Sequence, residues 1–212
     1  KEPLLKEVES IADMANFIYV RQKGPYGNGV PLLNAEHLID SEPFIYTWSD
    51  DFIVANPTRF QQMIDVYKEF GCPVMSVIKA QSDEDYDRYG FAAGETIREG
   101  LINVRSIVEK PGKSQAPSDM ATVSGFVLTP EIFPFLHSTL SELPEDAELY
   151  CNDALKMMAA AGGKILACEI QNAKYYDAGN KLDYIKTVMD FALEREDMKE
   201  ELKHYLKNKL GE

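Results

Sequence analysis

Four short stretches of this chain carry residue types that could do chemistry. The first is Tyr46-Thr47-Trp48-Ser49-Asp50-Asp51, an aromatic and β-branched run ending in two acids. A strand of that kind delivers its carboxylates to the carboxyl edge of a sheet, where open α/β sheets bind ligands. Such a carboxylate suits Mg²⁺, which takes one or two protein carboxylates and fills the rest of its shell with phosphate oxygens and water. Read alone, the same aspartates serve equally well as turn or helix-capping residues. The second stretch is Gln22-Lys23-Gly24-Pro25-Tyr26-Gly27-Asn28-Gly29. Its glycines let backbone approach a flat ligand, and a Gln amide can pair with a base edge; taken singly, an ordinary flexible loop is the commoner reading. The third is Val108-Glu109-Lys110-Pro111, an acid beside a base at a strand end, which also describes many solvated surfaces. The fourth, Tyr176-Asp177-Ala178-Gly179, is also the pattern of a type I turn.

The elements that must hold these stretches follow from hydrophobic periodicity. Residues 1–16 read as a helix with Leu4, Leu5, Val8, Ile11 and Ala12 on one face, and 17–22 as a short β-rich run. A loop over 23–31 precedes a possible helix at 32–38 and a strand at 43–48. Helix 57–70 carries Phe60, Met63, Ile64 and Tyr67 on one side, and 73–80 is a near-continuous apolar strand. Residues 81–87 form an acidic helix or turn. Strands follow at 89–93, 102–109, 122–128 and 165–170, with helices at 130–136 and 153–161. Residues 175–179 read as a tight turn, and 182–209 as one long charged helix. Alternation of strands and helices predicts a largely parallel sheet with helices on both faces.

Composition narrows the partners. The 212 residues carry a net charge of −13, which argues against nucleic acid and anionic membrane, since both demand a basic surface. A phosphorylated ligand remains compatible, because its site is local and a divalent cation outweighs the global charge there. Cys72, Cys151 and Cys168 are odd in number and widely spaced, so neither a disulfide framework nor a zinc site is expected. A reducing cytoplasm suits them best. No apolar run reaches the ~20 residues of a membrane span, and no signal peptide is expected from Lys1 onward.

Together, in order and spacing, the four stretches resemble bacterial UTP–glucose-1-phosphate uridylyltransferases. The resemblance runs through Val20-Arg21-Gln22-Lys23, Gly27-Asn28-Gly29, Asp40-Ser41-Glu42-Pro43-Phe44, Asp50-Asp51, Tyr89-Gly90, Val108-Glu109-Lys110-Pro111, Leu128-Thr129-Pro130-Glu131-Ile132-Phe133, Asn152-Asp153-Ala154-Leu155 and Tyr176-Asp177-Ala178-Gly179-Asn180-Lys181-Leu182. It implies an α/β fold: a Rossmann-like, three-layer α/β/α nucleotidyltransferase with a mixed central sheet. It implies a catalytic domain over 1–182 and a C-terminal helical segment over 183–212 that serves self-association as a homodimer or homotetramer. It also implies formation of UDP-glucose from UTP and glucose 1-phosphate by Mg²⁺-assisted in-line attack. In that scheme Gln22, Gly27 and Gly29 hold uracil, and Asp50 with Asp177 holds Mg²⁺. Glu109 bonds sugar hydroxyls, Lys110 bonds the sugar phosphate, and Gly125 lies near the sugar.

The sequence departs from the family pattern at three places. Val30-Pro31 follows the second loop glycine in place of His-Ala, and Ser49 precedes the metal aspartate in place of Gly or Pro. Ala147-Glu148-Leu149-Tyr150-Cys151-Asn152-Asp153 replaces Gly-Glu-Ile-Gln-Leu-Thr-Asp. Nothing matches the family's Gly-rich Thr-Arg loop that wraps the triphosphate, so residues 1–212 by themselves are expected to be inactive. The alternatives carried from the sequence are a non-catalytic nucleotide-sugar-binding or regulatory paralogue, and a transferase for another sugar 1-phosphate.

Overall fold

A computed structural model describes residues 2–211. The expectations that fall on Lys1 and Glu212 lie outside the described residues. Helix α1, Glu2–Ala12, aligns Leu4, Leu5, Val8 and Ile11 as the spacing predicts, yet all four are exposed. The run 17–22 forms no strand and is exposed throughout.

From Gly29 onward the chain enters the packed body. Helix α2, Val30–Ala35, has Pro31 in its first turn, where a missing N–H costs nothing. Strand β1 is Phe44–Tyr46 and β2 is Asp51–Ala55. Helix α3, Arg59–Phe70, starts where the Thr58 side chain accepts the Gln61 N–H and stops at Gly71, which takes the left-handed conformation at φ 63°. Then come β3 (Val74–Lys79), α4 (Asp85–Arg88), the hairpin of β4 (Gly90–Arg98) and β5 (Leu101–Glu109), and β6 (Met120–Leu128). The chain continues through α5 (Ile132–Ser141), α6 (Cys151–Ala160), β7 (Leu166–Glu169), β8 (Ala173–Asp177), α7 (Lys181–Glu194) and α8 (Lys199–Leu210).

Six strands form the main sheet in the order β1-β6-β3-β7-β5-β4, and the start of β4 also pairs with β6. The expectation of a largely parallel sheet is corrected: among the described residues only β3 and β7 pair in parallel, and the other ladders are antiparallel. Parallel neighbours need a crossover. Most neighbours here are instead a hairpin or strands brought from distant parts of the chain.

The mixed sheet is the middle of three layers. Alternation along β3 sends Val74 to one face and Met75 to the other. Met63 and Val66 of α3 cover the first face, while Leu136 of α5 and Leu155 of α6 cover the second.

A separate two-stranded ribbon pairs β2 with β8, from Asp51↔Asp177 to Ala55↔Ala173. This corrects the reading of 175–179 as a tight turn: the strand runs through Asp177 and the turn follows it. Phe52 of β2 stacks on Tyr176 of β8, and both rings meet Phe191 of α7.

The single long helix expected at 182–209 is two helices. Arg195 leaves helical geometry at φ −80°, ψ 124°, and its guanidinium forks onto the Asp197 carboxylate at 2.9 and 2.8 Å. Helix α8 has no buried residue. Among the described residues, no helix is long and apolar enough to cross a membrane.

Candidate active site

Asp50 lies in the bend between β1 and β2, and its carbonyl accepts the Ala178 N–H at 2.7 Å. Asp177 ends β8 on the neighbouring strand. The two side chains converge where Gly179 has none. A Cβ at Gly179 would stand 3.2 Å from Asp177 Oδ1 and 3.3 Å from Asp50 Oδ2. Asp177 Oδ1 already accepts the N–H groups of Gly179 and Asn180, at 3.0 and 3.3 Å. Asn180 in turn caps α7 by accepting from Leu182 and Asp183.

Asp51 plays a different part. It is 8% exposed, and its carboxylate accepts the Ser124 N–H at 3.0 Å, the Tyr175 hydroxyl at 3.1 Å and the Ser124 hydroxyl. Arg59, also buried, brings Nη1 to 3.8 Å from Asp51 Oδ1, donates to the Ser124 carbonyl at 2.8 Å, and reaches Thr47 Oγ1 at 3.3 Å. Burial pulls the Arg59 guanidinium below its ordinary pKa, and the neighbouring Asp51 pulls it back. Burial and then Asp51 push the Tyr175 hydroxyl up, which keeps it a donor. The Asp51 side chain is 10% exposed against 22% for Asp177, so Asp51 mainly supports the turn and is the less accessible of the two from the cleft.

Ser124 can serve Asp51 because β6 bulges. The register against β3 shifts between Met75 and Val77, and Gly125 sits there at φ +104°. A Cβ on Gly125 would come within 3.2 Å of Arg59 Nη1 and 3.1 Å of Ser76 Oγ. Gly125, expected near the sugar, thus has its glycine demanded by Arg59 and Ser76 beneath it.

A cleft of about 710 Å³ opens in front of this turn, lined by Asn28, Pro31, residues 46–51, Tyr175 and Asp177. That volume suits a small-molecule site. Tyr46 and Trp48 form its apolar wall and pack against the buried Phe126 ring behind them. Behind Tyr175 and Asp177 lies a second cavity of about 360 Å³, walled by Arg88, Tyr89 and the start of α7.

Glu109 and Lys110 line neither cavity and connect to the Asp177 side through Tyr89. Glu109 pairs in register with Gly90, and a Cβ on Gly90 would lie 2.9 Å from both Glu109 carboxylate oxygens. Gly90 therefore makes room for Glu109. Asn152 Nδ2 donates to Glu109 Oε1 at 3.3 Å. Lys110 is exposed and takes φ 45°, a costly conformation for a residue with a side chain, while its N–H donates to the Tyr89 carbonyl. Tyr89 leads straight to Asp177: its hydroxyl lies 3.5 Å from Asp177 Oδ2.

The glycine loop is stitched into the body. Gly29 N–H donates to the Leu149 carbonyl at 2.7 Å, and Leu149 N–H donates to the Tyr26 carbonyl at 2.8 Å. A Cβ on Gly27 would stand 2.3 Å from the Leu149 oxygen. Asn28 ties the loop to two elements, its side-chain oxygen accepting the Cys151 N–H at 2.8 Å and its carbonyl accepting the Tyr46 hydroxyl. Both glycines are thus required by contact with residue 149. Gln22 is exposed in the extended run before the loop, outside the cleft-lining set.

Sequence reasoning missed Arg59, Arg88, Ser124, Asn152 and Tyr175. Arg59 left one legible sign: a cation in the first turn of a helix, where the dipole disfavours it. Arg88 directly precedes the Tyr89-Gly90 pair that carried part of the resemblance. Its Nη2 bonds Asp177 Oδ2 at 2.7 Å.

Comparison with known proteins identifies the family to which this sequence and fold belong. The nucleotidyl transferase family matches residues 3–194. A UTP–glucose-1-phosphate uridylyltransferase of Staphylococcus epidermidis is 33% identical over 207 residues, which is 98% of this chain and 70% of that protein. One from Bacillus subtilis is 33% identical over 210 residues, 98% of this chain and 68% of that protein. A crystal structure of UDP-glucose pyrophosphorylase complexed with UDP-glucose superposes with a TM-score of 0.80 at 32% identity, covering 92% of this chain and 72% of that one. A UTP-bound UGPase from Acinetobacter baumannii gives 0.82 at 27% identity, covering 96% of this chain and 70% of that one. On sequence and fold alike, the chain belongs to the nucleotidyl transferase family and groups within it with the UTP–glucose-1-phosphate uridylyltransferases.

Proposed function

We propose that this protein forms UDP-glucose and pyrophosphate from UTP and glucose 1-phosphate. The observation that carries the reading is the convergence of Asp50 and Asp177 on the space beside Gly179, at the edge of a ligand-sized cleft. A phosphate oxygen of glucose 1-phosphate attacks the α-phosphorus of UTP, and the bond to pyrophosphate breaks in line. Two anions must meet, so the protein's work is positioning and charge neutralisation.

Asp50 and Asp177 would hold Mg²⁺. No group of three His, Cys, Asp or Glu suited to a metal occurs among the described residues, and two carboxylates fit an ion that completes its shell with phosphate and water. When bound, Mg²⁺ supplies neutralisation of phosphate charge. Lys110, exposed and conformationally fixed before Pro111, is suited to meet the sugar phosphate. Glu109, with Asn152 bonded to it, faces the sugar hydroxyls, and Gly125 bears on the sugar side only through the backbone of β6, since its missing side chain leaves room for Arg59 and Ser76. Gln22 with the Gly27–Gly29 loop reads uracil. The three thiols are free and buried, which suits the reducing cytoplasm. Residues 183–212 serve self-association: Tyr184, Ile185 and Val188 on α7 and Tyr205 and Leu210 on α8 are exposed and want a partner.

The test is turnover by the protein as its native gene encodes it, with UTP, glucose 1-phosphate and Mg²⁺, followed by UDP-glucose release. Asp50→Asn is expected to lower kcat by about 10²–10³, the usual cost of one lost transition-state contact, with the melting temperature unchanged. Near-normal turnover in that variant would remove Asp50 from the site.

A further inference from the structure

Arg88 is the one cation bonded to a candidate metal ligand among the described residues. Its Nη2 lies 2.7 Å from Asp177 Oδ2 and 3.0 Å from Asp183 Oδ2 in the first turn of α7. Its guanidinium also stands 5.3 Å from the centre of the Tyr89 ring. Asp183 is anchored in its turn by Lys186 at 3.0 Å. Two carboxylates and an aromatic ring therefore hold Arg88 where it is, and it cannot swing aside cheaply when a cation arrives.

The electrostatic consequence follows from counting charge. Asp50, Asp177 and Asp183 carry three negative charges and Arg88 and Lys186 return two, which leaves the cluster with one. Asp177 Oδ1 is engaged by two backbone N–H groups, and Oδ2 by Arg88 and, at 3.5 Å, the Tyr89 hydroxyl, so an arriving metal must compete with Arg88 for Oδ2. A divalent cation entering alone meets a partly neutralised site with a fixed positive charge a few ångströms behind it. A cation entering with a triphosphate brings its own negative charge and oxygen ligands.

We propose that Arg88 makes divalent-cation binding at Asp50 and Asp177 conditional on the nucleotide. It acts as a positioning residue for the nucleotidyl transfer reaction through Asp177, without touching substrate. The proposal rests on the assignment of Asp50 and Asp177 as the metal site.

The test measures Mn²⁺ binding to the native full-length protein by electron paramagnetic resonance, with and without UTP, alongside turnover. Arg88→Gln keeps a hydrogen-bond donor and loses the charge; Arg88→Met keeps the stem beside Tyr89 and is the second variant. Each is expected to bind Mn²⁺ in the absence of UTP at least about tenfold more tightly than the wild type, the scale of a unit charge acting on a divalent ion across a wet site. The wild type is expected to bind Mn²⁺ tightly only with UTP, and Arg88→Lys to behave as the wild type. A purely structural Arg88 would move the affinity the other way. Unchanged or weaker Mn²⁺ binding in both neutral variants, or a lysine variant that behaves like them, overturns the role of Arg88. If Asp50→Asn changes neither the Mn²⁺ affinity of the UTP-free protein nor the Mn²⁺ concentration needed for half-maximal turnover, the metal site itself is misassigned and the proposal falls with it.

Discussion

Asp50 and Asp51 are chain neighbours with opposite fates: Asp51 is locked inside against Arg59, Ser124 and Tyr175, while Asp50 turns to the cleft beside Asp177. The buried partner fixes the turn, and the turn aims the exposed one. Asp51 opens β2 and Asp50 is the bend residue directly before it, so anchoring Asp51 restricts where Asp50 can point.

Removing Arg59 should therefore damage the fold more than removing Asp50. Arg59→Met leaves Asp51 buried without its cation, a change that typically costs about 3–5 kcal/mol. In a domain of this size that lowers the melting temperature by roughly 6–20 °C. Adding Asp51→Asn should recover part of the loss, because the two residues share one network. Thermal denaturation of the single and double variants checks this; strictly additive losses would mean that the pair is uncoupled.

Gly179→Ala tests the metal cradle without touching a ligand. The new methyl would stand between the two carboxylates, 3.2 and 3.3 Å from their nearest oxygens, and Gly179 needs no left-handed backbone. The expected outcome is a protein that melts like the wild type but needs at least about tenfold more Mg²⁺ for half-maximal rate, because Mg²⁺ tolerates little distortion of its octahedral shell. A lower melting temperature with unchanged Mg²⁺ demand would contradict it.

Three tyrosines tie stability to alkaline pH. Burial pushes Tyr46 up to about 12; burial, with smaller effects of neighbouring charges, does the same for Tyr89. Tyr175 is raised further, by burial and then Asp51. A folded pKa above the unfolded value of about 10 gives stability that is complete below pH ~10 and is lost as pH rises toward 12. Absorbance titration of tyrosinate should show these groups ionising late and together with unfolding. Tyr46→Phe should reduce the pH dependence in that window.

The thiols should be inert in the native state. Burial pushes Cys151 up to about 12 and Cys168 to about 11, and raises Cys72 as well. A thiol reagent at pH 8 is expected to label none of them rapidly until denaturant is added. Fast labelling of any one in the folded protein would contradict its burial.

Much of this was legible in the sequence, for local reasons. Thr58 and Gly71 bound α3 through capping chemistry that lies within a few residues, and the apolar run 74–79 reads as a buried strand on its own. Asp50, Glu109, Lys110 and Asp177 stood out as members of ordered motifs. What stayed hidden depends on partners far along the chain. Residues 51–55 look like the tail of a turn until 173–177 lie beside them. The register shift at Gly125 exists only against β3, and the strand directions in the main sheet depend on pairing rather than on local pattern. Arg59 was passed over because helix 57–70 was read for its apolar stripe, and a buried cation is invisible to that pattern. The break at Arg195–Met198 was hidden by charges that suit a helix and a turn equally well.

The β2–β8 ribbon has a mechanical meaning. Asp50 and Asp177 hang from one short ladder that closes with the Ala178 N–H on the Asp50 carbonyl, outside the hydrogen-bonding of the six-stranded sheet. That ladder, tied to the main sheet where Ser124 bonds Asp51, sets the gauge between the two carboxylates, like the jaws of a caliper with a locked screw. The same lock carries a vulnerability: a lesion anywhere along the ribbon, even at Ala55 or Ala173 far from the chemistry, resets the gauge.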